Sequence, residues 1–103
     1  MYIAIFITCA GKPEAIKIAK ALLTKKLAAC VNILDKLDSF FWWKGKIDQA
    51  KECLIIAKST RAKLDKITGV VKSLHSYEVP EIIGLPIAGG NKTYLDWIDG
   101  SIR

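Results

Sequence analysis

The sequence predicts an α+β domain in which strands and helices follow one another in the order βαββαβ, with one further helix at the C-terminus. Three observations lead to this prediction. Runs of β-branched and aromatic residues alternate with segments whose apolar residues recur every three or four positions. Gly and Pro punctuate the chain between these segments. An apolar share of 51% is enough for a core, and a length of 103 residues predicts one domain over residues 1–103.

The chain begins with a predicted strand and helix. Residues 2–8 form a β-branched and aromatic run, which we expect to be a strand buried on both faces. Gly11 ends this strand, and Pro13 suits the first turn of a helix because its missing N–H is not needed there. The helix carries apolar residues at helical spacing, so we expect its buried face to consist of Ile16, Ala19, Leu23 and Leu27.

A long β-hairpin is predicted next. Its first strand begins near residues 28–34 and continues through a run of four aromatic residues to a turn at Lys44 and Gly45. The returning strand contains Ile47 and residues 52–58. We therefore expect two long antiparallel strands in the middle of the chain.

A second helix and a fourth strand follow. The Ser-Thr pair at residues 59–60 is expected to cap the helix. Pro80 marks a break, and residues 81–87 form the fourth strand. This strand is expected at a sheet edge or with a bulge, since Pro86 cannot donate a ladder hydrogen bond. The apolar face of the helix is outlined by Leu64, Ile67, Val71 and Leu74.

The last helix follows a loop at Gly89 and Gly90, and Asn91 is its expected cap. Its apolar face consists of Leu95, Ile98 and Ile102. Together the elements predict the split-βαβ, ferredoxin-like arrangement, in which two helices cover one face of an antiparallel sheet.

The four consecutive aromatic residues indicate an interaction surface. Phe40 and Trp42 share one face of the strand, while Phe41 and Trp43 share the other. Because helices cover one face of such a sheet, we expect one pair to be bare in a monomer, a patch of roughly 300–500 Å². We expect all four residues to lie in a self-association interface. Stacking with a ligand or nucleic acid and packing by the terminal helix are the alternatives.

Charge and cysteine usage limit the partners and the compartment. The net charge is +6, but the lysines are spread along the chain without a long basic block, so charge alone does not predict nucleic-acid binding. No apolar stretch is long enough to span a membrane. The three cysteines are too few for a disulfide scaffold and lie in apolar surroundings, where we expect them buried and reduced in the cytoplasm: Cys9, Cys30 and Cys53.

Five segments carry a family resemblance. In order they are KLAACVNIL, SFFWWKGKI, ECLIIAK, HSYEVPEIIGLPI and NKTYLDWI. Their order and spacing resemble the CutA family, the divalent-cation tolerance proteins, over residues 2–103. The resemblance implies a cytoplasmic ferredoxin-like homotrimer, shaped like PII-type signalling proteins, in which strand edges pair between subunits. It also implies copper tolerance and binding of copper or other divalent ions.

The resemblance further implies metal ligands. His75 matches a family histidine, although Leu74 and Ser76 replace a second histidine and a proline found beside it in some members. Cys30 matches the cysteine of the AAC segment, whereas Cys9 is displaced from the family's first-strand cysteine. Imidazole and thiolate suit copper, so His75 and Cys30 are the expected ligands. The alternative is a histidine without a ligand role.

One imidazole per chain cannot form a metal centre alone. A threefold axis would gather three copies of His75, or His75 would pair with an acidic residue across an interface. We expect the clefts between subunits to be the sites, and the expected lining residues are Lys58, Tyr77, Glu78 and Glu81.

Catalysis is not expected, so the predicted protein is no enzyme. His75 is the only imidazole, and no serine or cysteine lies in a nucleophile motif. Asp48 and Glu52 share one strand face, where solvated charges are the expectation over a carboxylate pair. Residues 84–93 resemble a phosphate loop but lack the adjacent Gly-Lys that the motif requires.

Two alternatives remain for the function. The first is a PII-like small-molecule signalling trimer or a scaffold trimer. The second is an RNA-binding or single-strand-binding module, since ferredoxin-like sheets also present aromatic residues to bases. Residues 52–58 contain no aromatic side chain, which makes nucleic acid an unfavoured partner.

Overall fold

The computed structural model describes residues 1–103 as a four-stranded antiparallel sheet with two helices on one face. The strand order is β2-β3-β1-β4, as the ferredoxin-like prediction requires. The predicted α+β class and element order are therefore confirmed. The elements are β1 (Tyr2–Cys9), α1 (Lys12–Thr24), β2 (Cys30–Trp43), β3 (Lys46–Thr60), a 3₁₀ turn (Arg61–Lys63), α2 (Leu64–Leu74), β4 (Ile82–Pro86) and α3 (Lys92–Ser101).

The core lies between the sheet and the helices α1 and α2. Burial alternates along β1, and its buried residues are Ile3, Ile5, Ile7 and Cys9. They pack with alternate residues of β3 and with Ile67 and Val71 of α2. The intervening residues of β1 are only half-buried. The expectation that β1 is buried on both faces was wrong, because α1 and α2 cover a single face of the sheet.

The buried face of α1 differs from the predicted one. Ala15, Ile18 and Leu22 are buried, whereas Ile16 and Leu23 are exposed. Both sets have helical spacing, and a shift of one residue turns a helix face by about 100°. The apolar pattern alone could not distinguish them, so the predicted face was wrong at these two positions.

The hairpin of β2 and β3 extends far beyond the rest of the sheet. A bulge between Leu34 and Leu37 interrupts the pairing, and β1 ends opposite Cys53. We call the part beyond the bulge, residues 37–52, the hairpin arm. Its turn has positive φ at Lys44 and Gly45, which confirms the predicted turn.

All four consecutive aromatic rings on the hairpin arm are exposed. Phe40 is 68% exposed and Trp42 is 73% exposed, while Phe41 and Trp43 are less exposed. The expectation that helices cover one pair was wrong, because the arm projects past the helices. The terminal helix leaves these rings uncovered as well.

The predicted details of the C-terminal half are largely confirmed. The strand β4 pairs only with β1 and is an edge strand that ends at Pro86. The Asn91 side chain accepts a hydrogen bond from the Thr93 amide and caps α3. The expected Ser-Thr cap before α2 was wrong, because Ser59 is buried and donates to the Leu27 carbonyl. No helix is long and apolar enough to cross a membrane.

Candidate functional site

A large cleft lies between the hairpin arm and residues 77–81, which connect α2 to β4. It encloses about 820 Å³. The arm contributes the aromatic residues 40–43, and the connecting segment contributes Tyr77 and Val79. We call this the hairpin cleft. Its position depends on the bulge, since only the strands beyond it project past the end of β1.

The hairpin cleft is acidic. Half of the chain's ten acidic residues line it, and none of the sixteen Lys and Arg residues does. Because the whole chain carries a net charge of +6, the cleft is a local concentration of opposite charge. Such a cleft attracts cations and repels phosphates. The acidic lining residues are Asp38, Asp48, Glu52, Glu78 and Glu81.

Glu52 is the only buried carboxylate of the chain, with 7% of its surface exposed. The Tyr77 hydroxyl donates a hydrogen bond to Glu52 Oε2 across 2.7 Å. This contact fixes the segment after α2 against the base of the hairpin arm. The expectation that Glu52 is a solvated charge was wrong, because Tyr77 covers it. Asp48 is exposed, and its side chain accepts from the Gln49 amide.

Burial and the Glu52 charge change the acidity of two neighbouring groups. Burial, the hydrogen bond to Glu52 and its negative charge raise the pKa of Tyr77. Burial and the same charge raise the pKa of the Glu81 carboxyl. A bound cation would relieve this repulsion, because opposite charge favours the ionised form of a carboxyl group.

His75 lies at the back of the segment that carries Tyr77, and its side chain is fully buried. Its Nε2 lies 2.7 Å from the Thr8 carbonyl oxygen, and its Nδ1 lies 3.0 Å from the Tyr77 amide nitrogen. Since the amide must donate, Nδ1 accepts and Nε2 carries the proton that is donated to Thr8. Both ring nitrogens are therefore occupied by backbone groups.

Other contacts hold the same segment in place. The Glu14 carboxylate accepts hydrogen bonds from the amide and hydroxyl of Ser76, and it lies 4.0 Å from His75 Nδ1. The rings of His75 and Tyr77 pack at 4.8 Å between centroids. These contacts give His75 a clear role in positioning Tyr77 at the cleft.

Cys30 and Lys58 lie away from the hairpin cleft. They are opposite each other in the β2–β3 register. Lys58 lies four residues beyond Leu54 on β3, and Leu54 is the partner of Thr8 in the β1–β3 register. Lys58 donates a hydrogen bond to the Asn32 side chain and does not line the cleft. The other three expected lining residues do line it: Tyr77, Glu78 and Glu81. Cys30 is half-exposed instead of buried, because it starts an edge strand.

The predicted metal ligands do not form a centre within one chain. His75 and Cys30 are not brought together, and no three His, Cys, Asp or Glu side chains lie close enough to hold a metal ion. Sequence reasoning missed Asp38 and the burial of Glu52, which depend on the bulge. The only available signal was the pair of Asp48 and Glu52, which lie four residues apart on the returning strand.

Fold and cleft together define a small ferredoxin-like protein with an acidic, aromatic-lined cleft beside a projecting hairpin. The family model described as CutA1 divalent ion tolerance protein matches residues 3–101. The chain is 48% identical to the divalent-cation tolerance protein CutA of Archaeoglobus fulgidus, over the full length of both. It therefore belongs to the CutA1 family of divalent ion tolerance proteins.

Two further comparisons describe the extent of the similarity. The chloroplastic protein CutA 1 of Oryza sativa is 43% identical over 98% of this chain, which spans 57% of that protein's length. The solved structure of the periplasmic divalent cation tolerance protein CutA from Archaeoglobus fulgidus superimposes with a TM-score of 0.97. That structure is 48% identical, and the match covers 100% of both chains.

Proposed function

We propose that this protein binds divalent cations in the hairpin cleft, as a homotrimer and without catalysing a reaction. The observation that carries the proposal is the composition of the cleft: five carboxylates and no basic side chain in a chain of net charge +6. Membership of a divalent ion tolerance family supports the same class of ligand.

The chemistry of the donors indicates which ions fit. Carboxylate and hydroxyl oxygens suit divalent ions, whereas Cu(I) prefers thiolate and thioether ligands. Two of the three thiols are buried, and none lines the cleft. Cu(II) and other divalent ions are therefore the proposed ligands. His75 and Cys30 stay in the proposal as alternative ligands, with His75 requiring that one of its backbone hydrogen bonds opens.

The trimer would complete a site that one chain leaves open. No group of three donor side chains converges within one chain, so coordination needs side chains from another subunit. The exposed rings of the hairpin arm supply an apolar surface by which a neighbouring copy would cover the cleft. Each subunit would thereby contribute donors to the site of the next.

Absence of catalysis and a cytoplasmic location are also proposed. Both nitrogens of the only histidine are hydrogen-bonded to the backbone, which removes the usual general base. Three free thiols are compatible with a reducing compartment.

A second candidate function is PII-like small-molecule signalling. A volume of about 820 Å³ and a wall of aromatic side chains are typical of a site for an organic ligand. The acidic lining limits this alternative to cationic molecules, since phosphates would be repelled.

Native mass spectrometry during titration with Cu(II), Zn(II) and Cu(I) tests the proposal. We expect a trimer that takes up a fixed number of divalent ions, with uptake weakened in Glu81→Gln. Asp65→Asn, which removes an exposed charge from α2 outside the cleft, is the matched control and should bind normally. Equal weakening in both variants, or a trimer that takes up no ion, would reject the cleft as the site.

Variants at the alternative ligands separate the possibilities. If His75→Ala or Cys30→Ala abolishes copper uptake while Glu81→Gln has no effect, the ion is bound at the alternative ligands. A monomer that binds ions normally would reject the shared site between subunits.

A further inference from the structure

A pair of cysteines lies outside the hairpin cleft, in the core beneath α1. Cys9 and Cys53 are direct partners in the β1–β3 register, and both are completely buried. Residues directly opposite each other in antiparallel strands point to the same face of the sheet. Both thiols are free, and each therefore lies beside the other at the last pair of β1.

The hydrogen-bonding pattern between β1 and β3 defines the distance between the Cα atoms of Cys9 and Cys53. The Arg61 amide donates to the Met1 carbonyl, and these residues extend the register by one position beyond the pair of Tyr2 and Thr60. Hydrogen-bonded pairs recur at every second position, so Cys9 and Cys53, eight positions along, form a hydrogen-bonded pair as well. Such pairs have Cα atoms about 5.5 Å apart, which lies within the range found for disulfides. Their Cβ atoms are also about 5.5 Å apart and must approach each other by about 1 Å before the sulfurs can bond.

The bulge in β2 brings an acidic group to the same pair. Cys53 Sγ donates to Asp35 Oδ1 across 3.0 Å. Asp35 is exposed and precedes Lys36, whose φ of 62° is unusual for a residue with a side chain. The bulge thus turns a solvent-exposed carboxylate toward a core thiol, and bulges often re-aim a side chain in this way.

A small surface cleft lies beside the pair of cysteines. It encloses about 320 Å³ and is lined by Asp35 and by the neighbours of the cysteines in sequence, Ala10 and Glu52, together with Lys36 and Lys51. Neither cysteine lines this cleft, so a small oxidant would reach the Cys53 thiol only when Asp35 moves away from it.

We propose that Cys9 and Cys53 form a redox pair that hydrogen peroxide oxidises to an intrachain disulfide. The Cys53 thiolate attacks one peroxide oxygen, the O–O bond breaks, and hydroxide leaves to give a sulfenic acid. The Cys9 thiolate then attacks this sulfur, the S–O bond breaks, and hydroxide leaves again. The two thiol protons convert the two hydroxides to water, and the two electrons lost by the thiols reduce the peroxide. Formation of this disulfide requires no cation in the hairpin cleft.

The environment slows oxidation of this pair at neutral pH. Burial, with the charges of Glu14 and Glu52, raises the pKa of the Cys9 thiol to about 11. Burial and the Asp35 hydrogen bond raise the pKa of the Cys53 thiol to about 11, which nearby Lys12 only partly opposes. Because the thiolate is the reacting form, oxidation is slow at neutral pH and accelerates as pH rises toward these values.

The disulfide would change the structure beside it. Oxidation removes the proton by which Cys53 holds Asp35, so the bulge loses its contact with the core. The hairpin arm begins at this bulge, and its orientation to the sheet would respond to the oxidation state of the pair.

Peptide mapping of the folded, reduced protein after exposure to hydrogen peroxide tests the proposal. Trypsin places the cysteines on separate peptides, residues 1–17, 27–36 and 52–58, because cleavage before Pro13 is blocked. We expect a non-reduced digest to contain peptide 1–17 joined to peptide 52–58, with the mass of both less two hydrogens. The linked peptide should form faster at higher pH and disappear after treatment with a dithiol.

Two variants complete the experiment. Cys30→Ser should form the same linked peptide, and Cys9→Ser should form none. Linkage of peptide 27–36 in the wild-type protein instead, or oxidation of Cys53 to sulfinic acid without linkage, would overturn the proposal. The wild-type digest alone decides the matter if Cys9→Ser fails to fold.

Discussion

Tyr77 donates its phenolic hydrogen to Glu52 across 2.7 Å, and this bond joins the segment after α2 to the base of the hairpin arm. Glu52 is the only carboxylate in the interior, so the bond supplies a partner to a charge that would otherwise be costly to bury. On the other side of this segment, His75 Nδ1 accepts a hydrogen bond from the Tyr77 amide. These two hydrogen bonds fix the segment that forms one wall of the hairpin cleft.

Removal of the Tyr77 hydroxyl should destabilise the protein. In Tyr77→Phe the buried Glu52 carboxylate loses its donor, which is expected to lower the free energy of unfolding by about 1–3 kcal/mol. Urea unfolding monitored by circular dichroism measures the change. In a double-mutant cycle, Glu52→Leu should remove most of the effect of Tyr77→Phe. Additive losses would show that the two side chains are not coupled.

Alkaline pH should destabilise the folded state. The pKa values of Cys9 and Cys53 are raised from 9.0 to about 11, and the pKa of Tyr77 is also raised. The unfolded chain therefore loses these protons at lower pH than the folded protein. The stabilisation is complete below about pH 9 and is lost as pH rises toward 11.

Unfolding in urea under reducing conditions, at several values between about pH 8 and 10.5, measures this dependence. The expected result is a free energy of unfolding that falls with rising pH. Cys9→Ala/Cys53→Ala should show a weaker fall over the same range. An equal fall in both proteins would assign the pH dependence to other groups.

Local pattern was sufficient to predict the order of the elements, but it could not predict the rotation of α1. The edge position of β4 followed from the missing donor of Pro86, and the α3 cap followed from Asn91. For α1, Ile16 and Ile18 both belong to apolar sets with helical spacing. Contacts with the sheet decide between such sets, and these contacts are tertiary.

The site was less predictable than the fold. Tyr77, Glu78 and Glu81 lie together at the hairpin cleft of one chain because they share one short segment, whereas the sequence predicted them in a cleft between subunits. The role of Glu52 could not be predicted, since it depends on a bulge with positive φ at Lys36, a residue without any turn signal. His75 was expected as a ligand, whereas its hydrogen bonds come from backbone groups that no sequence motif encodes.

A matched pair of substitutions tests the observed face of α1. Ile18→Ala leaves a cavity in the core and should lower the free energy of unfolding by about 2–5 kcal/mol. Ile16→Ala makes the same chemical change on the exposed face and should alter stability by about 0.5 kcal/mol or less. Urea unfolding of the two variants measures both values. A larger loss in Ile16→Ala would restore the predicted face.

The last prediction concerns the apolar face of the hairpin arm. Trp42 lies directly opposite Ile47 in the register, and Phe40 lies two residues before it on the same face. The three side chains are 73%, 68% and 68% exposed, respectively. This is a continuous apolar surface on a projecting arm, and burying it against a second copy would release water from all three. The proposed trimer therefore depends on it.

Trp42→Ala should weaken the trimer strongly. Buried aromatic residues at the centre of an interface contribute about 2 kcal/mol or more, which corresponds to a dissociation constant at least about 30-fold higher. Sedimentation equilibrium over a range of protein concentrations measures this constant. Leu23→Ala is the control, because Leu23 is an exposed apolar residue on α1, away from the arm, and its loss should leave association unchanged. If Trp42→Ala associates as tightly as Leu23→Ala, this face of the arm is not the contact between subunits.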